Sequence, residues 1–176
     1  MAIKIHKRVS INCSDDIVHG GIAISLHAVG CPFRCDHCHS KALWDESAAD
    51  VATVDASDII RDHIDRFDVD QDITVVGVGG DFANQIHGWL EFCRDVKLAR
   101  PNVKISWFTG LEYSAAKLLL DVSGVSMVAA EFSLGICAID SILWGRSVAD
   151  GMIVKNVTLA PHSKVDHNIT IPILEL

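Results

Sequence analysis

Gly21-Ile22-Ala23-Ile24-Ser25-Leu26-His27-Ala28-Val29 runs directly into Gly30-Cys31-Pro32-Phe33-Arg34-Cys35-Asp36-His37-Cys38-His39. The first part alternates in the manner of a strand. The second places three of the six cysteines within eight residues, spaced C-x3-C-x2-C, with the ring of His37 just before the last. Three thiolates so close together can grip one metal centre from a single loop. A structural zinc site wants four closed ligands, and a four-iron four-sulfur cluster normally takes four cysteines. No fourth cysteine lies nearby. If three cysteines hold a cluster, one iron keeps an open position, where a metal centre does chemistry.

Other readings of the same residues stay open. Positions 31, 35 and 38 stand at i, i+4 and i+7, the apolar stripe of a buried helix. Gly30 and Pro32 argue for a turn instead, although Pro32 fits a first helical turn, and Arg34, Asp36, His37 and His39 make the segment too polar for a core helix. Zinc with His37 or His39 as fourth ligand is a second alternative. A disulfide is a third, and it needs an oxidising compartment.

Working outward, the alternation of strand and helix patterns continues. Residues 3–12 read as a short leading strand. Asp55-Ala56-Ser57-Asp58 starts a helix with Ile60, Ile64 and Phe67 on one face. Ile73-Thr74-Val75-Val76-Gly77-Val78 is a nearly continuous β-branched run, as in a strand buried on both faces. Gly79-Gly80-Asp81 breaks it, and a helix over about 83–98 follows with Ile86, Leu90 and Cys93 inward. Val103 to Phe108 is the next strand, broken by Thr109-Gly110. A helix over Tyr113 to Val122 and a strand over Val125 to Ala129 come next. Beyond Glu131 the pattern blurs, with strands expected at Met152 to Lys155 and, on an edge because of Pro172, Ile169 to Leu174.

This order predicts βαβ units, a mostly parallel sheet and a single α/β domain over residues 1–176, with 131–176 poorly assigned. Ligands of such sheets sit at the carboxyl ends of the strands. The cysteine loop, Gly79-Gly80-Asp81 and Thr109-Gly110 each follow a strand, so all three are expected on one edge.

Apolar residues make up 49% of the 176, and the formal net charge is −8 without any basic run, which argues against a nucleic-acid surface. Met1 to Arg8 has charges but no apolar stretch after them, so it does not read as a signal peptide. Gly124 to Leu143 is the most apolar segment. It contains Glu131 and Asp140, which suits a buried strand and its connection rather than a membrane span. A cytoplasmic, reducing location is expected, where clustered cysteines bind metal more often than they pair.

Gly79-Gly80-Asp81 alone is an ordinary turn with Asp81 capping the helix after it. Its functional reading is a backbone without Cβ atoms that a ligand can approach, and a carboxylate that accepts from an ammonium group. Cys13, Cys93 and Cys137 read as core thiols. His27, His63 and His87 read as packing or solvated groups, and His162 and His167 as solvated. Trp44, Trp89, Trp107 and Trp144 read as core or interface anchors. Thr109 is either a turn residue or a cofactor contact.

The cysteine loop followed one strand later by Gly-Gly-acid resembles the radical S-adenosylmethionine enzymes, and most closely the activases of glycyl-radical enzymes. Cys38-His39-Ser40 with Leu43-Trp44-Asp45, and Trp107-Phe108-Thr109-Gly110, are similar to stretches of the proteins that activate anaerobic (class III) ribonucleotide reductase. The likeness covers about residues 20–112. It implies an incomplete β/α barrel and a four-iron four-sulfur cluster on Cys31, Cys35 and Cys38. It further implies S-adenosylmethionine chelated to the fourth iron, with His37 against the adenine side and Gly79, Gly80 and Asp81 at the amine. One electron would cleave the sulfonium, and the 5′-deoxyadenosyl radical would take hydrogen from a backbone glycine of the anaerobic ribonucleoside-triphosphate reductase. Flavodoxin or ferredoxin is the implied reductant. No catalytic acid or base is assigned. The family's C-terminal signature is absent, with Trp144-Gly145-Arg146-Ser147 its nearest remnant. A small-molecule enzyme such as 7-carboxy-7-deazaguanine synthase, and a zinc-stabilised interaction module without catalysis, are the alternatives.

Overall fold

The structure is a computed structural model and describes residues 1–13, 15, 21–34, 40–48, 50–109, 118, 132–137, 146–147, 152–159 and 168–172. In chain order these residues form β1 (Ile3–His6), β2 (Ser10–Asn12), β3 (Ile22–Ala28), β4 (Val51–Val54) and α1 (Ala56–Asp62). Then follow β5 (Ile73–Gly79), α2 (Ile86–Ala99), β6 (Lys104–Thr109), β7 (Phe132–Cys137), β8 (Arg146–Ser147), β9 (Met152–Leu159) and β10 (Asn168–Pro172). The helix expected over 113–122 and the strand over 125–129 lie outside the described residues.

The strands join in one mixed sheet of order β10-β9-β7-β6-β5-β3-β1-β4, with β2 beside β3 and β8 beside β9. Its centre is parallel: β3 pairs with β5, β5 with β6, and β6 with β7. Antiparallel strands flank it on both sides. The segment 3–12, expected as one strand, is two. They share one edge of β3, with Ile5 opposite Ala28 and Ser10 opposite Ser25. β1 also takes β4 on its other side over its whole length. β4 carried no strong sequence signal, because Val51-Ala52-Thr53-Val54 alternates only between exposed and half-buried positions.

Parallel register lines up one apolar face. Ile24, Val75 and Ile105 stand in one row, and Leu26, Gly77 and Trp107 in the next. This face packs on the buried side of α1 and α2, through Ile59, Ile60, Trp89, Leu90, Phe92, Cys93 and Val96. Trp89 stacks on Phe82 at 4.1 Å between ring centroids and meets Trp107 at 6.5 Å. Gly77 makes room for that stack, since a Cβ there would lie 2.9 Å from the Trp89 ring and 3.0 Å from Phe82. On the opposite face Asp15 accepts from Ser25 at 2.6 Å and from Asn12 at 2.9 Å, and Ser10 bonds the His27 ring at 3.2 Å.

α1 begins as its sequence predicts. Asp55 accepts from the Asp58 N–H, and Asp58 accepts from the Asp55 N–H, a reciprocal capping box. The Ser57 hydroxyl, and after it the Asp58 N–H, hold the Asp55 carboxyl below its ordinary value. A carboxyl lowered in the folded state stabilises above its unfolded-state value, and the contribution is lost as pH falls through the folded-state value. Asp55→Ala is therefore expected to lower the denaturation midpoint at neutral pH, the difference from wild type closing in acid. Paired denaturant titrations at the two pH values check this. The far end of α2 is tied by Lys97, buried, whose ammonium donates to the Pro101 and Val103 carbonyls at 2.6 and 2.9 Å.

Candidate metal centre

The chain leaves β3 through Val29 and turns at Gly30, whose φ of 77° lies in the left-handed region that glycine tolerates. A Cβ at Gly30 would also sit 2.4 Å from the Asn84 side-chain amide. The next residue is Cys31, half-buried at the carboxyl edge of the sheet. Gly30 donates to the Leu43 carbonyl at 2.8 Å, and Cys31 to the Trp44 carbonyl at 3.2 Å. These two bonds close the neck of a loop spanning residues 31–43. Residues 31–34 are not helical, as Gly30 and Pro32 predict. Cys35, Asp36, His37, Cys38 and His39 lie outside the described residues.

Around that neck Arg34 bonds Asp45 at 2.6 Å, and Arg34 and Lys41 both sit over the Trp44 ring, at 5.8 and 5.5 Å. Arg34 takes φ of 48°, uncommon for a residue with a side chain. Trp44, read from sequence as an anchor, holds this clasp; its buried indole N–H has no acceptor among the described residues.

The Gly79-Gly80-Asp81 turn lies directly against the root of the cysteine loop. Gly80 donates to the Ala28 carbonyl at 3.0 Å, and Asp81 donates to the Gly30 carbonyl at 3.4 Å. Both glycines have contacts that demand them. Gly79 has φ of 87°, and a Cβ there would meet Leu43 at 2.8 Å. A Cβ at Gly80 would meet the Ala28 and Gly30 carbonyl oxygens at 2.6 and 2.9 Å. The chain's own backbone, then, approaches these positions closely.

Asp81 is buried and caps the short 3-10 turn Phe82–Gln85 ahead of α2, accepting the Ala83 N–H at 2.8 Å. The sequence predicts that cap. It does not reveal the second contact: Thr109, the last residue of β6, donates to the same carboxylate, 3.1 and 3.0 Å from its two oxygens. The turns after β3 and β5 and the last residue of β6 thus meet at one edge, joined by direct hydrogen bonds.

Other candidates separate from this edge. Cys93 is fully buried, and burial pushes its thiol up. Cys13, expected in the core, is exposed at the end of β2, where that strand leaves the sheet. Cys137, Trp144, His162 and His167 have no described side chains. His27 is lowered by burial, opposed by Asp15, and His63 is lowered by burial as well. Trp89 and Trp107 are core residues. Among the described residues no group of three or more His, Cys, Asp or Glu is arranged to hold an ion; of the three loop cysteines only Cys31 is described. None of the helices there is long and apolar enough to cross a membrane.

A half-buried thiol at the strand end, on a loop closed at its neck with two more cysteines inside it, fits a metal centre held from one segment. The class this defines is an iron–sulfur protein, and comparison with protein families bears on it directly. The family model described as a 4Fe-4S single cluster domain matches residues 18–131, more than half of the chain. The chain belongs to this family. A comparison with curated proteins finds no match.

Proposed function

We propose that this chain is a radical S-adenosylmethionine enzyme that generates a glycyl radical on an anaerobic ribonucleoside-triphosphate reductase, and that its parallel strands belong to an incomplete β/α barrel. One observation carries the reading: the ends of three adjacent parallel strands, bearing Gly30-Cys31, Gly79-Gly80-Asp81 and Thr109, are hydrogen-bonded to each other at the edge where such sheets bind ligands. A structural cluster has no need of a buried carboxylate and a Gly-Gly backbone fastened to its loop.

Cys31, Cys35 and Cys38 would hold the cluster, and three ligands leave one iron open to a chelating cofactor. Bound there, a reduced cluster supplies the electron that cleaves the cofactor's sulfonium. Asp81 and the Gly79-Gly80 backbone would accept from the cofactor's amine, and His37 would lie at its adenine. Flavodoxin or ferredoxin would serve as reductant.

The test is anaerobic purification followed by reduction in the presence of S-adenosylmethionine. Iron-loaded protein that releases 5′-deoxyadenosine, and adds a glycyl-radical signal when the reductase is supplied, is the expected result. A colourless protein with a single zinc, or an iron-loaded one that leaves the cofactor intact, sinks the proposal.

A further inference from the structure

We infer that Thr109 is a positioning residue: it holds the Asp81 carboxylate in the orientation in which that group receives the ammonium of the bound cofactor. The inference rests on the radical S-adenosylmethionine reading above and assigns a role there to a residue on a third strand.

The geometry starts from burial. Asp81 is 3% exposed and Thr109 1% exposed, so neither side chain is held by bulk water. A carboxylate in such a place needs donors to keep its charge and fix its plane. The Ala83 N–H and the Thr109 hydroxyl are two such donors, from different elements. The Ala83 N–H reaches Oδ1 at 2.8 Å from the turn that Asp81 itself begins. The Thr109 hydroxyl stands 3.1 Å from Oδ1 and 3.0 Å from Oδ2, and it arrives from the end of β6, 28 residues away. The cap reaches Oδ1 alone. The hydroxyl stands astride both oxygens and so bears on the plane of the whole carboxylate.

The Asp81 backbone is anchored as well, because its N–H donates to the Gly30 carbonyl beside Cys31. Backbone and side chain are thus fixed from opposite directions, one from the cysteine loop and one from β6. A short acidic side chain held in this way presents a set direction to a cation. The chemical class it fits is a primary ammonium on a ligand already anchored elsewhere in the site, such as the α-amine of an amino-acid-like cofactor. Thr109 itself makes no contact with that ligand in this account; it acts through Asp81.

The test uses the anaerobically reconstituted protein and two probes, S-adenosylmethionine and its analogue lacking the α-amine. Thr109→Val keeps the shape and deletes the hydroxyl; Thr109→Ser restores it. The expected result is that the valine variant keeps its iron content, while its melting point falls modestly because a buried carboxylate loses a donor. It binds S-adenosylmethionine about tenfold more weakly, as loss of a hydrogen bond to a charged group implies. It binds the amine-free analogue as wild type does, and serine rescues the difference. Equal weakening for both probes makes Thr109 a strut of the fold and overturns the inference, as does unchanged affinity for both. Should wild type itself bind neither probe, the functional reading fails and this inference with it. Should wild type bind and the valine variant match it, the inference alone falls.

Discussion

Replacing Cys31, Cys35 or Cys38 with alanine is expected to abolish cluster assembly and 5′-deoxyadenosine release together, in each of the three variants. Iron per chain should drop from about four, the number of the family's cluster, to background. The loss is expected to be complete because three ligands are already one fewer than such a cluster normally receives. The backbone at Cys31 gives the experiment a clean control. Its N–H is held by the Trp44 carbonyl and its neighbour Gly30 by the Leu43 carbonyl, and neither bond uses the thiol. The gap in denaturation midpoint between Cys31→Ala and wild type should therefore be larger for the loaded proteins, in which bound metal adds to stability, than for the apo forms. Iron analysis and denaturant titration on matched apo and reconstituted samples check both halves. A variant that retains full turnover contradicts the account of the site.

The second large effect is expected at Gly80. An alanine methyl there would lie 2.6 Å from the Ala28 carbonyl oxygen and 2.9 Å from that of Gly30. Both are backbone atoms that cannot swing aside as a side chain does. To admit the methyl, the β5 loop has to move off the root of the cysteine loop, stretching the Gly80-to-Ala28 and Asp81-to-Gly30 hydrogen bonds. The cost is about 3 kcal/mol, the upper range for overpacking. The displacement carries Asp81 with it, so cofactor affinity should fall more than cluster content. Denaturant melts, iron content and binding of S-adenosylmethionine on Gly80→Ala measure the three effects separately. A stable variant with wild-type affinity would show that the contact between the two loops is not needed.

What could be read in advance follows the range of the interaction. The Asp55–Asp58 capping box is four residues long and was legible, as was the Asp81 cap on Ala83. β5 was legible because a run of β-branched residues buried on both faces has few other homes. β4 was not, since its place beside β1 depends on a partner that begins 48 residues earlier in the chain, Ile3 opposite Val54 to His6 opposite Val51, and not on its own weak alternation. The division of residues 3–12 came from the geometry of a shared edge on β3 rather than from any turn signal strong enough to see. Cys13 shows the same limit: a thiol suits a core, yet this one follows a three-residue strand and is exposed. At the site, Gly30, Gly79 and Gly80 announced themselves as glycines, but their neighbours did not. Asn84 beneath Gly30, and Thr109 against Asp81, are contacts made across the sheet edge.

The donor atoms were legible from the residues alone: three thiols on one short segment, a turn ahead of them, and a strand behind. These are consequences of covalent spacing and local backbone preference, which need no partner. That the Gly-Gly-Asp turn and Thr109 come to the root of that segment is a product of the assembled sheet. The reason is that parallel strands carry their loops to a common edge only after distant segments have paired in register over a buried apolar face.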